Sequence, residues 1–255
     1  MSPTLSLAGV QHFPLVHPGD DIAALLCDAL AANGLQLTAG DVVVVAQKIV
    51  SKAEDRYVRL ADVAVGDAAA ELARKVDKDP RLVELILRES NAVVQYRRGV
   101  LIVEHRLGFV LANAGIDRSN LPDWDKDPKV LMLPENPDRS AAQLRKALEA
   151  HCDGPIAVII NDSVGRAWRV GTIGMAIGTA GMEPIRNQVG ERDLYGRELE
   201  VTEIAVADEL ASAASTVMGQ AAEACPVVVI RGANWSPSDE GSAKLIRARA
   251  TDLFR

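Results

Sequence analysis

Two aspartates that each end an apolar run are the residues of this chain best suited to chemistry. Asp117 lies near the end of FVLANAGIDRSN (Phe109–Asn120), and Asp162 follows the apolar run that opens IAVIINDSVGRAWRVGTIG (Ile156–Gly174). A buried strand that stops at an acid places a carboxylate at the rim of a sheet, where loops and ligands meet. Two such acids can share a hard divalent cation, and such cations commonly handle nucleoside triphosphates. The sequence therefore predicts a metal- and nucleotide-dependent site if the two acids converge.

A polar segment directly after the β-branched run Val42–Ala46 is the first candidate for contacts with phosphate. It offers an amide, a hydroxyl and two lysines, in the residues Gln47, Lys48, Ser51 and Lys52. These groups at the end of a strand suit phosphate oxygens. A solvated turn with ordinary surface lysines is the alternative.

Two further candidates accompany the acids themselves. Asn120 follows Asp117 and could read a base or a ribose, while Gly115 permits a tight bend before it. Ser163 follows Asp162, and a carboxylate beside a hydroxyl suits Mg²⁺ or Mn²⁺. In both places the alternative is a turn in which the side chains cap their own backbone.

The glycines after Asp162 indicate close approach of the backbone, with Arg166 and Arg169 available for an anionic ligand. A purely structural loop fits them as well, and the sequence contains neither GxxxxGK[ST] nor GxGxxG. Met218, Gly219 and Gln220 come near the end of a predicted helix, where a lone glutamine is by default a surface amide. The glycines concerned are Gly165, Gly171, Gly174, Gly178 and Gly181.

Composition excludes several classes of function. The 255 residues carry a net charge of −7, which argues against broad binding to nucleic acids or anionic membranes. The three cysteines, Cys27, Cys152 and Cys225, are widely separated and show no zinc-binding spacing, so we expect reduced thiols. We find no signal peptide and no apolar run of about 18 residues, and therefore expect a cytoplasmic protein.

The hydrophobic pattern mixes helices, isolated buried strands and one antiparallel meander, Ala92–Ala112. It predicts an α/β or α+β fold without a simple doubly wound order. A loop-like stretch, Leu121–Asp138, follows the meander. The predicted helices are Asp20–Gly34, Pro80–Ser90, Ser140–Cys152 and Thr202–Ala224, with Thr202 as a cap, and the isolated strands are Val42–Ala46, Ile156–Ile160 and Val227–Ile230.

Several longer blocks together resemble one family, the coenzyme F420-0:L-glutamate ligases, or F420 γ-glutamyl ligases. The resemblance runs in order from about residue 9 to about residue 232. The blocks include FPLVHPGDD, VVVVAQKIVSKAE, NAGIDRSN, LPENPDRSA, INDSVGRAWRVGTIGMAIG, DLYGRELEVTEIAVADELASAA and VMGQAAEACPVVVIRG.

The resemblance implies a fold particular to this family, neither Rossmann nor P-loop. One domain covers 1–255 in two α/β subdomains, about 1–90 with 195–255 and about 91–194, without a C-terminal flavin-binding domain. It also implies a homodimer. The implied reaction joins L-glutamate to F420-0 and then adds γ-linked glutamates, with GTP, with Mg²⁺ or Mn²⁺ at two positions per site, and with K⁺ as a possible activator.

The resemblance also assigns roles to individual residues. Asp117 and Asp162 would bind the first metal, and Ser163 and Gln220 the second. Lys52 would be a catalytic phosphate ligand. The other implied nucleotide contacts are Pro14, Leu15, Val16, His17, Gln47, Lys48, Ser51, Asn120, Met218, Gly219 and Gln220, while Arg166 and Arg169 are candidates for binding substrate on charge alone.

Two other functions fit the same residues. One is a GTP-dependent amino-acid ligase with a different acyl acceptor. The other is a non-catalytic nucleotide-binding protein that retains the scaffold, although each acid that the chemistry requires is present.

Overall fold

A five-stranded mixed sheet forms the centre of the chain in the computed structural model, which describes residues 4–121 and 127–254. The order across the sheet is β1 (Ser6–Gly9), β12 (Val227–Arg231), β2 (Val42–Ala46), β8 (Ala157–Arg166) and β9 (Arg169–Ala180). Neighbouring strands are antiparallel, except that β2 and β8 run parallel.

Helices cover both faces of this sheet because its central strands are apolar on both sides. Along β2, Val43 and Val45 belong to one buried cluster, and Val42 and Val44 belong to another on the opposite face. This alternation is the two-residue period of a strand. The first face carries α1 (Ile22–Ala32), α2 (Gln47–Ala53) and α5 (Pro137–Glu149), and the second carries α6 (Val206–Met218).

A separate buried cluster groups side chains between residues 60 and 132. Helices α3 (Asp67–Val76) and α4 (Pro80–Arg88) pack there against the meander of β4 (Ser90–Arg97), β5 (Val100–His105) and β6 (Val110–Ala112). The short antiparallel pair β3 (Tyr57–Arg59) and β7 (Lys129–Leu131) lies beside it. The predicted division into 1–90 with 195–255 and 91–194 stays a prediction. The buried side chains group differently, since residues 137–180 pack with the main sheet.

Glu89 ties the smaller cluster to the segment that follows α2. Its carboxylate lies 2.9 Å from Arg106 Nε and 3.4 Å from His105 Nε2. The interaction with His105, followed by that with Arg106, lowers the pKa of Glu89 to about 2 against the opposing effect of burial. Arg56 approaches the same carboxylate and donates to Leu133 O at 2.9 Å. These contacts join the smaller cluster, next to which Asp117 lies, to the segment after α2 at the main sheet, which contains Asp162.

A hairpin arm, Arg186–Ile204, projects between β9 and α6. Its base is the antiparallel pair β10 (Arg186–Asn187) and β11 (Glu203–Ile204), and backbone bonds such as Gly190 N to Leu199 O at 2.8 Å continue the pairing. Large apolar side chains on this arm are exposed, including Leu194 at 100% and Tyr195 at 96%. They lie outside the three buried clusters.

The structure confirms the predicted α+β class, the meander, strands β2 and β12, and helices α1 and α4. Helix α5 lies three residues N-terminal to its predicted bounds, because Pro137 starts it and Asn136 caps it. All three cysteines are free thiols, although only Cys225 is fully buried.

Two predictions for the segment Thr202–Ala224 were wrong, and two other helices were not predicted. The helix predicted over Thr202–Ala224 is shorter, because Glu203–Ile204 pairs with the arm and Gly219, at φ 74°, follows the last turn. Thr202 therefore caps no helix, and the cap position is Ala205. Gln47–Ala53 and Asp67–Val76 are helices that the pattern did not predict.

The stretch Leu121–Asp138, predicted to be irregular, contains β7 and the start of α5, while residues 122–126 lie outside the described residues. The strand predicted to stop at Ile160 continues to Arg166, because β9 supplies its hydrogen-bonding partner. Within the described residues, the helices are all too short or too polar to cross a membrane.

Candidate functional site

The parallel pairing of β2 with β8 places the ends of two chemically active segments side by side. The last paired residues are Ala46 and Asn161, so Gln47 and Asp162 lie side by side directly after this pairing ends. Open sheets commonly bind ligands in the crevice outside the carboxyl ends of their parallel strands. Asp162 is not at the end of its strand, but it is the first residue of β8 beyond the pairing with β2.

Asp117 reaches this edge from the smaller part of the chain. The preceding residues Asn113, Ala114 and Gly115 all have positive φ, between 54° and 67°, and turn the backbone sharply. Asp117 then forms an isolated antiparallel bridge with Leu131, with two N–H to O distances of 2.9 Å. Left-handed backbone costs a residue such as Ala114 roughly 1 kcal/mol. The bridge stabilises this turn, and the turn directs the Asp117 carboxylate toward α2.

Residues at the start of α2 converge on the Asp117 carboxylate. Gln47 Nε2 donates to Asp117 Oδ2 at 2.6 Å, and Lys48 Nζ lies 3.0 Å from the same oxygen. Ser51 is fully buried and donates to Gln47 Oε1 at 2.9 Å, which fixes the orientation of the amide. Ser51 therefore positions Gln47. Its predicted direct contact with nucleotide stays a prediction.

The two acids are close enough to perturb each other. Burial raises the pKa of Asp162 to about 7, and the negative charge of Asp117 adds to the rise. The Ser163 N–H, the charge of Lys48 and the Gln47 amide oppose the shift without cancelling it. A carboxylate pair in which one pKa stays raised despite the nearby Lys48 fits a bound cation, since a divalent ion would favour the ionised form of both acids.

Ser163 and Gln220 form the opposite side of the site. Ser163 Oγ donates to Gln220 Oε1 at 2.7 Å, and the Ser163 N–H donates to Asp162 Oδ1 at 2.8 Å. Asn161 is buried, and its amide donates to Ser215 Oγ at 3.0 Å and to Met218 Sδ at 3.5 Å. These contacts hold the end of α6 against β8. Met218 and Gly219 thus set the position of Gln220.

Lys52 and Asn120 complete a ring of contacts around the site. Lys52 Nζ donates to Asn120 O at 3.0 Å, and Asn120 Nδ2 donates to Ala221 O at 3.2 Å. Burial and the neighbouring charge of Lys48 lower the pKa of Lys52. Two neighbouring lysines, one of them partly desolvated, are chemically suited to phosphate oxygens, and their predicted contact with nucleotide stays a prediction.

Two groups of predicted residues lie outside this ring. The turn after Pro14–His17 contacts the other end of α2, where the Gly19 N–H donates to Ala53 O at 2.9 Å, roughly 9 Å along the helix from Gln47. Arg166 and Arg169 lie near the tip of the β8–β9 hairpin. Their predicted contacts with GTP and with substrate stay predictions. Asn161 received no role of its own from the sequence, and its position inside an apolar strand was the only available signal.

The residues fit a divalent cation in the number and kind of their donors. Mg²⁺ is commonly bound through one or two carboxylates together with substrate phosphates and water. Asp117 and Asp162 supply the carboxylates, while Ser163 and Gln220 supply neutral oxygens. Among the described residues, no cluster of three or more His, Cys, Asp or Glu side chains forms a metal site, so a cation here would complete its shell with other oxygens.

Comparison with known proteins identifies the family of the chain. The profile of the family described as F420-0:Gamma-glutamyl ligase matches residues 11–232. A coenzyme F420:L-glutamate ligase of Methanothermobacter thermautotrophicus is 47% identical over 253 residues, covering 98% of this chain and 99% of the relative. Proteins with the same name from Methanopyrus kandleri and Methanocaldococcus jannaschii are 43% and 44% identical, over 99% and 85% of this chain and 98% and 85% of their own lengths.

The fold and the acid-rich edge of its sheet define an α+β protein with a site suited to a cation and phosphate. The chain belongs to the F420-0:gamma-glutamyl ligase family.

The raised pKa of Asp162 gives a prediction for the metal-free protein. An acid whose folded pKa of about 7 exceeds its ordinary value of 3.8 binds more protons when folded, so it lowers stability as pH rises between those values. With a chelator present, we expect Asp162→Asn to be more stabilising relative to wild type at pH 8 than at pH 5, by about 1–3 kcal/mol. Urea unfolding at both pH values measures this difference.

Asp77→Asn is the matched control, because Asp77 is an exposed acid outside the site in the left-handed conformation that asparagine tolerates. Its effect should be nearly independent of pH over this range. An equal effect of Asp162→Asn at pH 5 and pH 8 would contradict the raised pKa of Asp162, which comes first from burial and then from the charge of Asp117.

Proposed function

We propose that the protein is a GTP-dependent ligase that joins L-glutamate to coenzyme F420-0 and then adds further glutamates through γ-linkages. The observation that carries this proposal is the convergence of Asp117 and Asp162 with Lys48 and Lys52 at one edge of the sheet. Membership of the family and the names of the relatives support the choice of substrates. Three free cysteines and the absence of a membrane-spanning helix among the described residues fit the cytoplasmic location that we also propose.

The chemistry follows from the low reactivity of a carboxylate. An oxygen of the acceptor carboxylate attacks the γ-phosphorus of GTP, the bond to the β-phosphate oxygen breaks, and GDP leaves. The glutamate nitrogen then attacks the resulting acyl phosphate, loses a proton and displaces phosphate. Phosphoryl transfer needs alignment and neutralisation of charge more than a protein nucleophile. The site contains groups of that kind.

Each group has a separate task in this scheme. Lys52 and Lys48 bind phosphate oxygens, and Gln47 keeps Asp117 directed at the site. Asn120, held by its hydrogen bond to Ala221 O at 3.2 Å, would contact the nucleotide from the rim of the site. Asp117 and Asp162 would hold one Mg²⁺ or Mn²⁺, and Ser163 and Gln220 would hold a second. Bound divalent ions would neutralise the triphosphate and the charge that develops during transfer. K⁺ as an additional activator stays a prediction.

Replacing either acid should abolish catalysis without unfolding the protein. We expect Asp117→Asn to reduce the rate of glutamate addition at least about a hundredfold, because charge stabilisation in such sites is worth several kcal/mol. Mass spectrometry of mixtures containing F420-0, glutamate, GTP and Mn²⁺ measures the added glutamyl units and the GDP released.

Asp77→Asn should retain the wild-type rate in the same assay, and the circular dichroism of the two variants should match wild type. A near-normal rate for Asp117→Asn would remove that residue from the reaction. Product formed without GTP would exclude the acyl phosphate route.

We also propose that the protein is a homodimer that buries the hairpin arm. The arm exposes Val189, Leu194, Tyr195 and Val201, and several exposed large apolar side chains on one arm are typical of a protein interface. Light scattering should give about twice the chain mass of 27.2 kDa. The double variant Leu194→Ser with Tyr195→Ser should shift the mass toward that of one chain. A wild-type mass near 27 kDa at micromolar concentration would contradict the dimer.

A further inference from the structure

The outer half of the β8–β9 hairpin contains a glycine that the fold does not explain. Gly174 and Gly178 are explained by close packing, because added side chains would meet the backbone of Ala211 and of Pro137. Gly171 has a positive φ of 89°. At Gly165 an added Cβ would meet nothing within 4 Å, and the backbone is not left-handed. Glycine weakens the interior of a strand and often marks a place where a ligand or another backbone approaches closely.

Trp168 is a second residue that the fold does not explain. It lies in the two-residue connection between Arg166 and Arg169, with φ of 59°, and 81% of its surface is exposed. A bulky residue in this region of backbone space costs roughly 1 kcal/mol and is a genuine outlier. Exposure means that burial does not offset this cost. The indole nevertheless has a defined neighbour, since its ring centroid lies 4.9 Å from that of Phe254 in an edge-on arrangement.

These residues follow the metal-binding candidates in a fixed order along one strand. Along β8, Ser163 is followed by Gly165, which exposes bare backbone, and then by Arg166. The indole of Trp168 lies in the connection, and Arg169 begins the returning strand. Arg166 NH1 donates to Gly171 O at 3.3 Å, which holds its guanidinium against the hairpin, and Arg169 is exposed. At about 3.3 Å per residue, the distance from Ser163 to Trp168 is roughly 17 Å.

We infer that the outer hairpin, Ser163–Arg169, is the binding surface for the acceptor, an elongated anionic molecule with a flat aromatic ring. The ring stacks on Trp168, the arginines bind the anionic arm, and the arm crosses the open backbone at Gly165 to bring its carboxylate to Ser163. This inference rests on the proposed function and adds to it two specificity residues, Trp168 and Gly165. The inner end of this segment, Ser163, contacts Gln220 within the candidate site, which favours a small substrate over a second copy of the chain.

Direct binding of F420-0 without GTP or metal tests the inference. Fluorescence titration of the aromatic ring should give a Kd about tenfold higher for Trp168→Ala than for wild type, since stacking on an aromatic side chain contributes on this scale. Trp168→Phe should stay within about threefold of wild type because it retains a flat ring. Tyr96→Ala is the matched control, since Tyr96 is an exposed aromatic residue on β4 in the other part of the chain.

Gly165→Val separates binding from folding. Valine suits an exposed strand better than glycine and has room here, so the melting temperature should not fall. The Kd for F420-0 should nevertheless rise about tenfold, because the isopropyl group would cover the bare backbone. The KM for GTP should stay at its wild-type value.

Unchanged F420-0 affinity in both Trp168→Ala and Gly165→Val would overturn the inference. If Trp168→Ala instead reduces the mass in light scattering and leaves the Kd unchanged, the hairpin tip is an interface between copies and the inference is equally overturned. Binding that depends on Trp168 and Gly165 without any ligation would sustain the inference while the proposed function fails. If both variants ligate glutamate normally and their KM for F420-0 is unaltered, the proposed function is supported and the inference fails.

Discussion

The parallel pairing of β2 with β8 is the constraint on which the site depends. It ends at Ala46 and Asn161, which places the first turn of α2 beside Asp162. Burial of that edge and the approach of Asp117 then raise the pKa of Asp162 to about 7. Metal-free protein therefore keeps two carboxylates together at an electrostatic cost. A site of this kind suits a divalent cation, because an ion bound there would relieve the repulsion between the acids.

Two independent connections fix the geometry around these acids. On one side, the bridge between Asp117 and Leu131 and the bond from Ser51 to Gln47 orient the carboxylate and the amide that contacts it. On the other side, Asn161 holds the end of α6, and Gln220 consequently reaches Ser163. Under the proposed function, a site held in this way would need little rearrangement on binding nucleotide, and such preorganisation is the main source of electrostatic catalysis.

The sequence marked residues of the site without establishing how they lie together. It marked Asp117 and Asp162 as acids after apolar runs and left their convergence open, Gln47 was expected only among phosphate contacts, and family resemblance added Gln220. Helix α2 was missed because it has only seven residues and no capping side chain at Ala46. The extension of β8 to Arg166 depends on pairing with β9, which no local pattern reveals. Trp168 was missed because its exposure and its φ are properties of the folded hairpin.

Linkage between nucleotide and cation tests the central claim most directly, because it needs neither acceptor nor turnover. Calorimetric titration with GTP should show tight binding in Mn²⁺ and at least tenfold weaker binding in chelator. Both Asp117→Asn and Asp162→Asn should remove this difference, while Asp77→Asn should preserve it. A wild-type affinity for GTP that does not change with Mn²⁺ would contradict a shared cation site at the edge of the sheet. A Mn²⁺-dependent affinity that persists in both aspartate variants would contradict it as well.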